Sequence, residues 1–213
     1  AKRMKCCPKL GHRVVEVEEE WEPEGSSVKE GRAEGVGWIE SRGGGMLGVW
    51  SKVEDGTIPT RVTHSDTKIN NILFDRQGEV LCAIDLDTVM ASTSLNDFGD
   101  AIRSYANTGD EDDRDLSRVG LSLEMFRAYT EGYLSQRAKQ LTDSEIDHLA
   151  FSARYITFEQ VLRFLMDYID GDTYYKIKYP GHNLVRTHAQ YRLLQSMEEH
   201  YGEMCRIVRE TVD

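Results

Sequence analysis

Apolar residues in the second half of the chain recur at helical spacing. Between Leu121 and Ala138, the residues Leu123, Phe126, Tyr129, Tyr133 and Leu134 form one stripe, which predicts an amphipathic helix. After Thr142, whose hydroxyl stands at capping-box spacing from Glu145, a longer stripe runs from Ile146 through Leu149, Phe158 and Leu165 to Ile169. It predicts one long helix ending near Gly171. Beyond the Pro180-Gly181 turn, a last helix is predicted over about Leu184 to Val208. The pattern upstream is different. Arg61 to His64 reads as a short strand entering a polar loop. Ile72-Leu73-Phe74 and Val80 to Leu86 are apolar runs on either side of Asp75-Arg76-Gln77-Gly78, a hairpin-turn composition. Ser94, with Asp97 three residues on, is spaced to cap a helix starting at Leu95. A hairpin followed by four helices predicts an α+β, mainly helical fold rather than an alternating α/β sheet. Asp110 to Asp115 lacks the Gly and distal Glu of a calcium hand and is read as a solvated connection.

Composition divides the chain near residue 53. Residues 1–53 contain no Asp, Asn, Gln, Thr, Phe or Tyr, six types that supply 57 of the remaining 160 residues. The chain is therefore read as two parts, 1–53 and 54–213. Three readings compete for the first: a poorly ordered, low-complexity tail, a small folded domain, or a stretch translated out of frame over purine-rich DNA. Gly43-Gly44-Gly45 follows no predicted strand and is read as flexible loop.

Charge and cysteine usage narrow the function classes. The net charge is −11, from 37 acidic and 26 basic residues, which disfavours a nucleic-acid partner. No apolar run reaches the about 18 residues that a spanning helix needs, and Ala1 to Leu10 lacks the apolar core of a secretory signal. Cys6, Cys7, Cys82 and Cys205 have neither metal-site nor disulfide-framework spacing. A soluble, cytoplasmic enzyme with no membrane partner is expected.

The most informative stretch is His64-Ser65-Asp66-Thr67-Lys68-Ile69-Asn70-Asn71, followed by Ile84-Asp85-Leu86-Asp87 at the end of an apolar run. Carboxylates at the end of such a run need cations or hydrogen-bond donors. Phosphoryl transfer asks for this set of groups: an acceptor for the proton of the attacking hydroxyl, hard oxygen ligands for magnesium, and a cation near the transferred phosphoryl. Asp66 suits the first role, Asn71 and Asp85 the second, and Lys68 the third. His64 is read as a brace of the loop. Asp87 is either a second metal ligand or a loop support.

On these residues the chain resembles the aminoglycoside phosphotransferase superfamily, and the phrases Thr63 to Asn71 and Ile84 to Thr88 resemble its N-acetylhexosamine 1-kinase branch. The resemblance covers roughly residues 54–205. It implies a protein-kinase-like C-terminal lobe, ATP and Mg2+ as cofactors, Asp66 as catalytic base, and Asn71 and Asp85 as magnesium ligands. It also implies a sugar acceptor, with the anomeric hydroxyl of an N-acetylhexosamine as one candidate. Asp97-Phe98-Gly99 spells the metal-binding motif of protein kinases, but it stands 31 residues after Asp66 and opens a helix. Asp97 is accordingly read as a helix cap and a support for the catalytic loop. Arg163 and Tyr175 are candidate sugar contacts, against a salt bridge for the first and plain packing for the second. His182 and Arg186 either join them or stabilise the start of the last helix.

Such a kinase also has an N-terminal lobe with a nucleotide-covering loop and a strand lysine, and nothing before residue 54 reads as either; Lys29 and Lys52 stand in no such strand. The expectation is a C-terminal lobe without its N-terminal lobe, weakly active or inactive by itself. Its uncovered face, with Ile72, Leu73 and Ile84, would favour self-association, which sedimentation would register as a mass rising with concentration. The competing classes are a pseudo-kinase or binding module, an aminoglycoside or other small-alcohol kinase, and a metal-dependent hydrolase using Asp66, Asp85 and Asp87.

Overall fold

The structure is a computed structural model that describes residues 41–46 and 48–212; the readings made for residues 1–40 lie outside them. Four short strands come first: β1 (Arg61–Thr63), β2 (Ile72–Phe74), β3 (Val80–Ala83) and β4 (Met90–Ser92). β2 and β3 form the expected hairpin, with Ile72 opposite Ala83 and a bulge between Leu73 and Phe74. Its turn is held by the Asp75 carboxylate, which accepts from the Gln77 and Glu79 amides at 2.9 Å each. β1 pairs antiparallel with β4, Val62 opposite Ala91. The predicted run to Leu86 stops being a strand at Ala83, because Asp85 takes a left-handed conformation (φ 63°) and Leu86–Thr88 turns as a 3-10 helix.

Six α-helices follow among the described residues, where four were expected: α1 (Ser94–Tyr105), α2 (Leu123–Arg137), α3 (Asp143–Asp147), α4 (Leu149–Ile169), α5 (His182–Glu199) and α6 (Tyr201–Val212). Each of the two long predicted helices breaks at a histidine. The His148 and His200 rings both donate from Nδ1 to the carbonyl four residues earlier, Ser144 and Ser196, at 2.6 and 2.8 Å. Both residues share φ −103° with ψ near zero, which ends one helix and begins the next at a new angle. An apolar stripe passes through such a break unchanged, so periodicity does not register it. The capping box of Thr142 and Glu145 forms as spaced. The cap of α1 is Thr93, whose hydroxyl oxygen accepts from the Leu95 amide, and not Ser94. Ser94 instead donates to Glu145 at 2.7 Å.

The core centres on α4, which packs mainly against α1 and α5. Phe98, Phe126, Phe158, Leu193 and Met197 are wholly buried there. α1 and α4 approach so closely at Gly99 that a Cβ would stand 2.7 Å from Ile156 Cγ1 and collide with the Ser152 carbonyl. Backbone cannot rotate away as a side chain does. Gly99→Ala is therefore expected to lower stability by about 1–3 kcal/mol, read as an earlier urea midpoint; an unchanged midpoint would show that the two helices can separate freely.

Residues 41–46 and 48–54 are helical and lie on this core. Met46 is buried in a cluster with Phe158 and Leu194, Trp50 donates to the Tyr155 hydroxyl, and Arg42 makes two hydrogen bonds to Glu198, at 2.7 and 2.8 Å. Gly43 to Gly45 is thus helix where loop was read, and the boundary expected at residue 53 falls inside the helical stretch. These long-range anchors, not local propensity, hold a glycine-rich segment helical. Apolar side chains of the strands stay exposed, Val62 at 83% and Leu81 at 63%. Leu73 is among them, Ile84 just beyond β3 is exposed as well, and Ile72 is half-buried.

Candidate functional site

β1 leads straight into the His64–Asn71 loop, and α1 fixes its start. The Asp97 carboxylate, on the first turn of α1, accepts from the His64 amide at 2.9 Å and the Ser65 amide at 2.8 Å. Two consecutive amides can converge on one carboxylate because Ser65 adopts φ 64°, a conformation that costs a non-glycine residue energy unless its surroundings enforce it. Burial pushes the Asp97 carboxyl above its ordinary value, against the downward pull of those two hydrogen bonds. Thr67 and Thr88 add hydroxyl bonds to the Asp97 and His64 carbonyls, at 2.6 and 2.7 Å. The His64 Nε2 donates to the Ile84 carbonyl at 2.9 Å and so ties the loop to the end of β3. Asp97 thus contacts the backbone of the His64–Asn71 loop and does not cap its own helix.

Asp66 lies at the centre of the loop. Its Oδ2 accepts from Lys68 Nζ at 2.7 Å and from Asn71 Nδ2 at 2.8 Å. The same Asn71 nitrogen donates to the Asp66 carbonyl at 2.8 Å. With its nitrogen committed in this way, Asn71 has its carbonyl oxygen left as the atom able to bind a cation. Its backbone carbonyl accepts from the Ile84 amide at 2.9 Å, which places Asp85 directly after a residue bonded to Asn71. Asp85 and Asp87 are exposed carboxylates on the turn after β3. Among the described residues no group of three His, Cys, Asp or Glu side chains could hold a metal by itself. The donors present are one amide oxygen and one or two carboxylates. They fit magnesium, which keeps waters and takes substrate phosphate oxygens for the rest of its octahedron.

Asp66 and Lys68 open onto a cleft of about 610 Å³ that extends to Arg163, Tyr175 and Arg186 on and near α4 and α5. The two sugar-contact candidates therefore share one cavity with the candidate base, whereas Asn71, Asp85 and Asp87 are not part of its wall. Arg163 donates to Gln160 at 3.4 Å and lies over the Tyr175 ring, 5.5 Å from its centroid. The Tyr175 amide bonds the buried Asp167 carboxylate at 2.9 Å, beside the Tyr174 amide at 2.7 Å. Burial pushes the Tyr175 phenol above its ordinary value. His182 is fully buried at the start of α5, where its Nε2 meets Asp112 at 2.7 Å and its Nδ1 accepts from the Lys178 amide. It stabilises the helix start and does not reach the cleft.

Sequence reasoning missed the rest of the wall. Asp110 and Glu111 line the cleft, and Asp112 is bonded to Lys178 and His182, so the acidic stretch read as a solvated connection is a cleft edge pinned to α5. Lys178 and His182 hold the Asp112 carboxyl down at about 2. Arg103, on the last turn of α1, is buried against Asp100 and Glu111, with Nη1–Oε2 2.8 Å to the latter. Burial alone would lower its pKa, but the two carboxylates outweigh it and keep the guanidinium firmly charged. It also donates to Gln190 Oε1 at 3.3 Å. The one local signal was the three-residue spacing from Asp100 to Arg103, which is common on helices.

Residues 49–138 match the model of the phosphotransferase enzyme family, APH. That span holds the His64–Asn71 loop, the β2–β3 hairpin, Asp85, Asp97 and Arg103, and it ends before Arg163 and Tyr175. Over those residues, less than half of the chain, the match supports a likeness to the aminoglycoside phosphotransferase superfamily.

Proposed function

We propose that this protein is an ATP- and Mg2+-dependent phosphotransferase of protein-kinase-like fold that phosphorylates a sugar hydroxyl, with the anomeric hydroxyl of an N-acetylhexosamine as the acceptor implied by the resemblance. The observation that carries this reading is the Asp66 carboxylate, held by Lys68 and Asn71 at one end of a cleft large enough for a sugar. Asp66 accepts the proton of the acceptor hydroxyl as its oxygen bonds to the γ-phosphorus and the bond to the ADP oxygen breaks. Lys68, two residues on, offsets negative charge on the transferring group. Asn71 and Asp85 would hold magnesium, with Asp87 as a further ligand or a support of the turn. The ion, when bound, neutralises charge on the β and γ phosphates. His64 and Asp97 act as supports through the loop backbone.

The test is transfer of label from γ-labelled ATP to N-acetylglucosamine, with and without magnesium. The expected result is acceptor- and magnesium-dependent formation of a sugar phosphate. Release of phosphate from a phosphoester without ATP would overturn the reading in favour of a hydrolase. Absence of transfer to any sugar or other alcohol would overturn it in favour of a binding module.

A further inference from the structure

Gln190 is wholly buried at the wall of the cleft, and its side chain is oriented by its neighbour. Arg103 has only donors, so the Gln190 oxygen must face it, at 3.3 Å. The amide nitrogen is thereby turned elsewhere, and it is buried without a hydrogen-bond partner among the described residues. An unmet buried donor costs about 1–3 kcal/mol, which an acceptor atom on a ligand would recover. Arg186, one helical turn earlier on α5, lines the same cleft. Its hydrogen bonds go to neutral oxygens, Asn183 Oδ1 at 2.8 Å and the Lys176 carbonyl at 3.4 Å. Its Nε is a second buried donor with no partner, and no carboxylate lies within 4.0 Å of it among the described residues. Of the other cations that line this cleft, Lys68 is paired with Asp66 and Arg103 with Asp100 and Glu111.

We propose that Gln190 and Arg186 form a subsite for a carboxylate on the acceptor, so that the cleft takes an acidic sugar in preference to a neutral or cationic one. Donors without acceptors, one set of them on a charged group, match a group made only of acceptors. An ammonium group beside Arg186 would face a guanidinium that no carboxylate within 4.0 Å neutralises among the described residues. The inference rests on the reading of Asp66 as the reacting end of the cleft and departs from the N-acetylhexosamine acceptor.

Binding of glucuronate, glucose, N-acetylglucosamine and glucosamine to the full chain without nucleotide, followed by calorimetry, tests it. Glucuronate should bind at least tenfold more tightly than glucose, and glucosamine most weakly. Gln190→Glu keeps the oxygen that faces Arg103 and replaces the donor with an anion; it should abolish the preference for glucuronate while glucose binding persists. Arg186→Gln should reduce glucuronate affinity about tenfold more than it reduces glucose affinity, with circular dichroism checking that both variants fold. Equal binding of glucuronate and N-acetylglucosamine, or a preference that survives both substitutions, would overturn the subsite. So would inorganic phosphate competing as well as glucuronate in a manner insensitive to Gln190→Glu, which would assign the donors to phosphate. Because no nucleotide is present, lost selectivity with intact label transfer rejects the subsite alone, and retained selectivity without transfer rejects the kinase reading alone.

Discussion

Glu145→Ala is expected to destabilise the protein by about 3–5 kcal/mol, the cost of removing one partner from a buried ion pair. The Glu145 side chain is fully buried and carries an unusual share of the connections between the strands and the helices. It accepts from Arg61 twice, at 2.6 and 2.7 Å, from the Ser94 hydroxyl at 2.7 Å and from the Thr142 amide at 2.8 Å. Truncation leaves Arg61 charged and half-buried without its carboxylate, and it opens the cap of α3. In a chain of this size the thermal midpoint should fall by on the order of 10 °C; a fall within 2 °C or so would show that Arg61 finds water instead. Acid should act on the same contact. Burial by itself would raise the Glu145 pKa, but the Arg61, Thr142 and Ser94 hydrogen bonds together hold it down at about 2. A carboxyl depressed in the folded state contributes its stability above its unfolded value near 4.5, and that contribution is lost as pH falls toward about 2. Wild-type stability should therefore decline across that interval, and Glu145→Gln should decline less steeply.

Asp66→Asn is expected to lower sugar phosphorylation by about 10²–10⁴-fold, the range for loss of a positioned base, and to move the thermal midpoint little. An amide at this position still offers an oxygen to one of its two donors, Lys68 or Asn71, so the loop keeps much of its geometry. It cannot take a proton from the acceptor. Label transfer by the variant at more than a tenth of the wild-type rate would exclude Asp66 as the base. A variant that failed to melt cooperatively would mean that the residue holds the loop rather than the proton.

The features legible in the sequence are those set by contacts close along the chain. The β2–β3 hairpin, the capping box of Thr142 and Glu145 and the helical stripe from Leu123 were all readable, because each depends on residues within one or two turns. The spacing of Asp66, Lys68 and Asn71 put three polar groups on one loop and suggested separate roles for them; that Lys68 and Asn71 both bond Asp66 was not read from it. Features made by distant partners were not readable. Arg61 and Glu145 are 84 residues apart, Arg103 reaches Gln190 across 87, and neither pair leaves a periodic trace. Ser94 looked like a cap but serves Glu145, so Thr93 caps the helix in its place. His148 and His200 break helices through a ring-to-carbonyl bond that hydropathy does not encode. The glycine run from Gly43 to Gly45 misled because what holds it helical, Met46 in the core and Arg42 on Glu198, lies in tertiary contacts.

The strand pairing has a consequence for how the site assembles. β1 and β4 are partners, and the segment between them contains the whole β2–β3 hairpin, so one closure is nested inside the other. The entropic cost of closing a loop grows with its length. Once the inner hairpin has formed, its two strands no longer count as free chain, and the outer pairing has a shorter effective loop to close. Hairpin first and outer pair second is thus the least costly order of events. Asp66 lies on the first arm of the outer loop and Asp85 on the second, and the hairpin joins the near ends of both arms through the bond between the Ile84 amide and the Asn71 carbonyl. Their far ends are fixed only by the β1–β4 pair, so a chain that has formed the hairpin alone leaves both arms of the proposed apparatus loosely held.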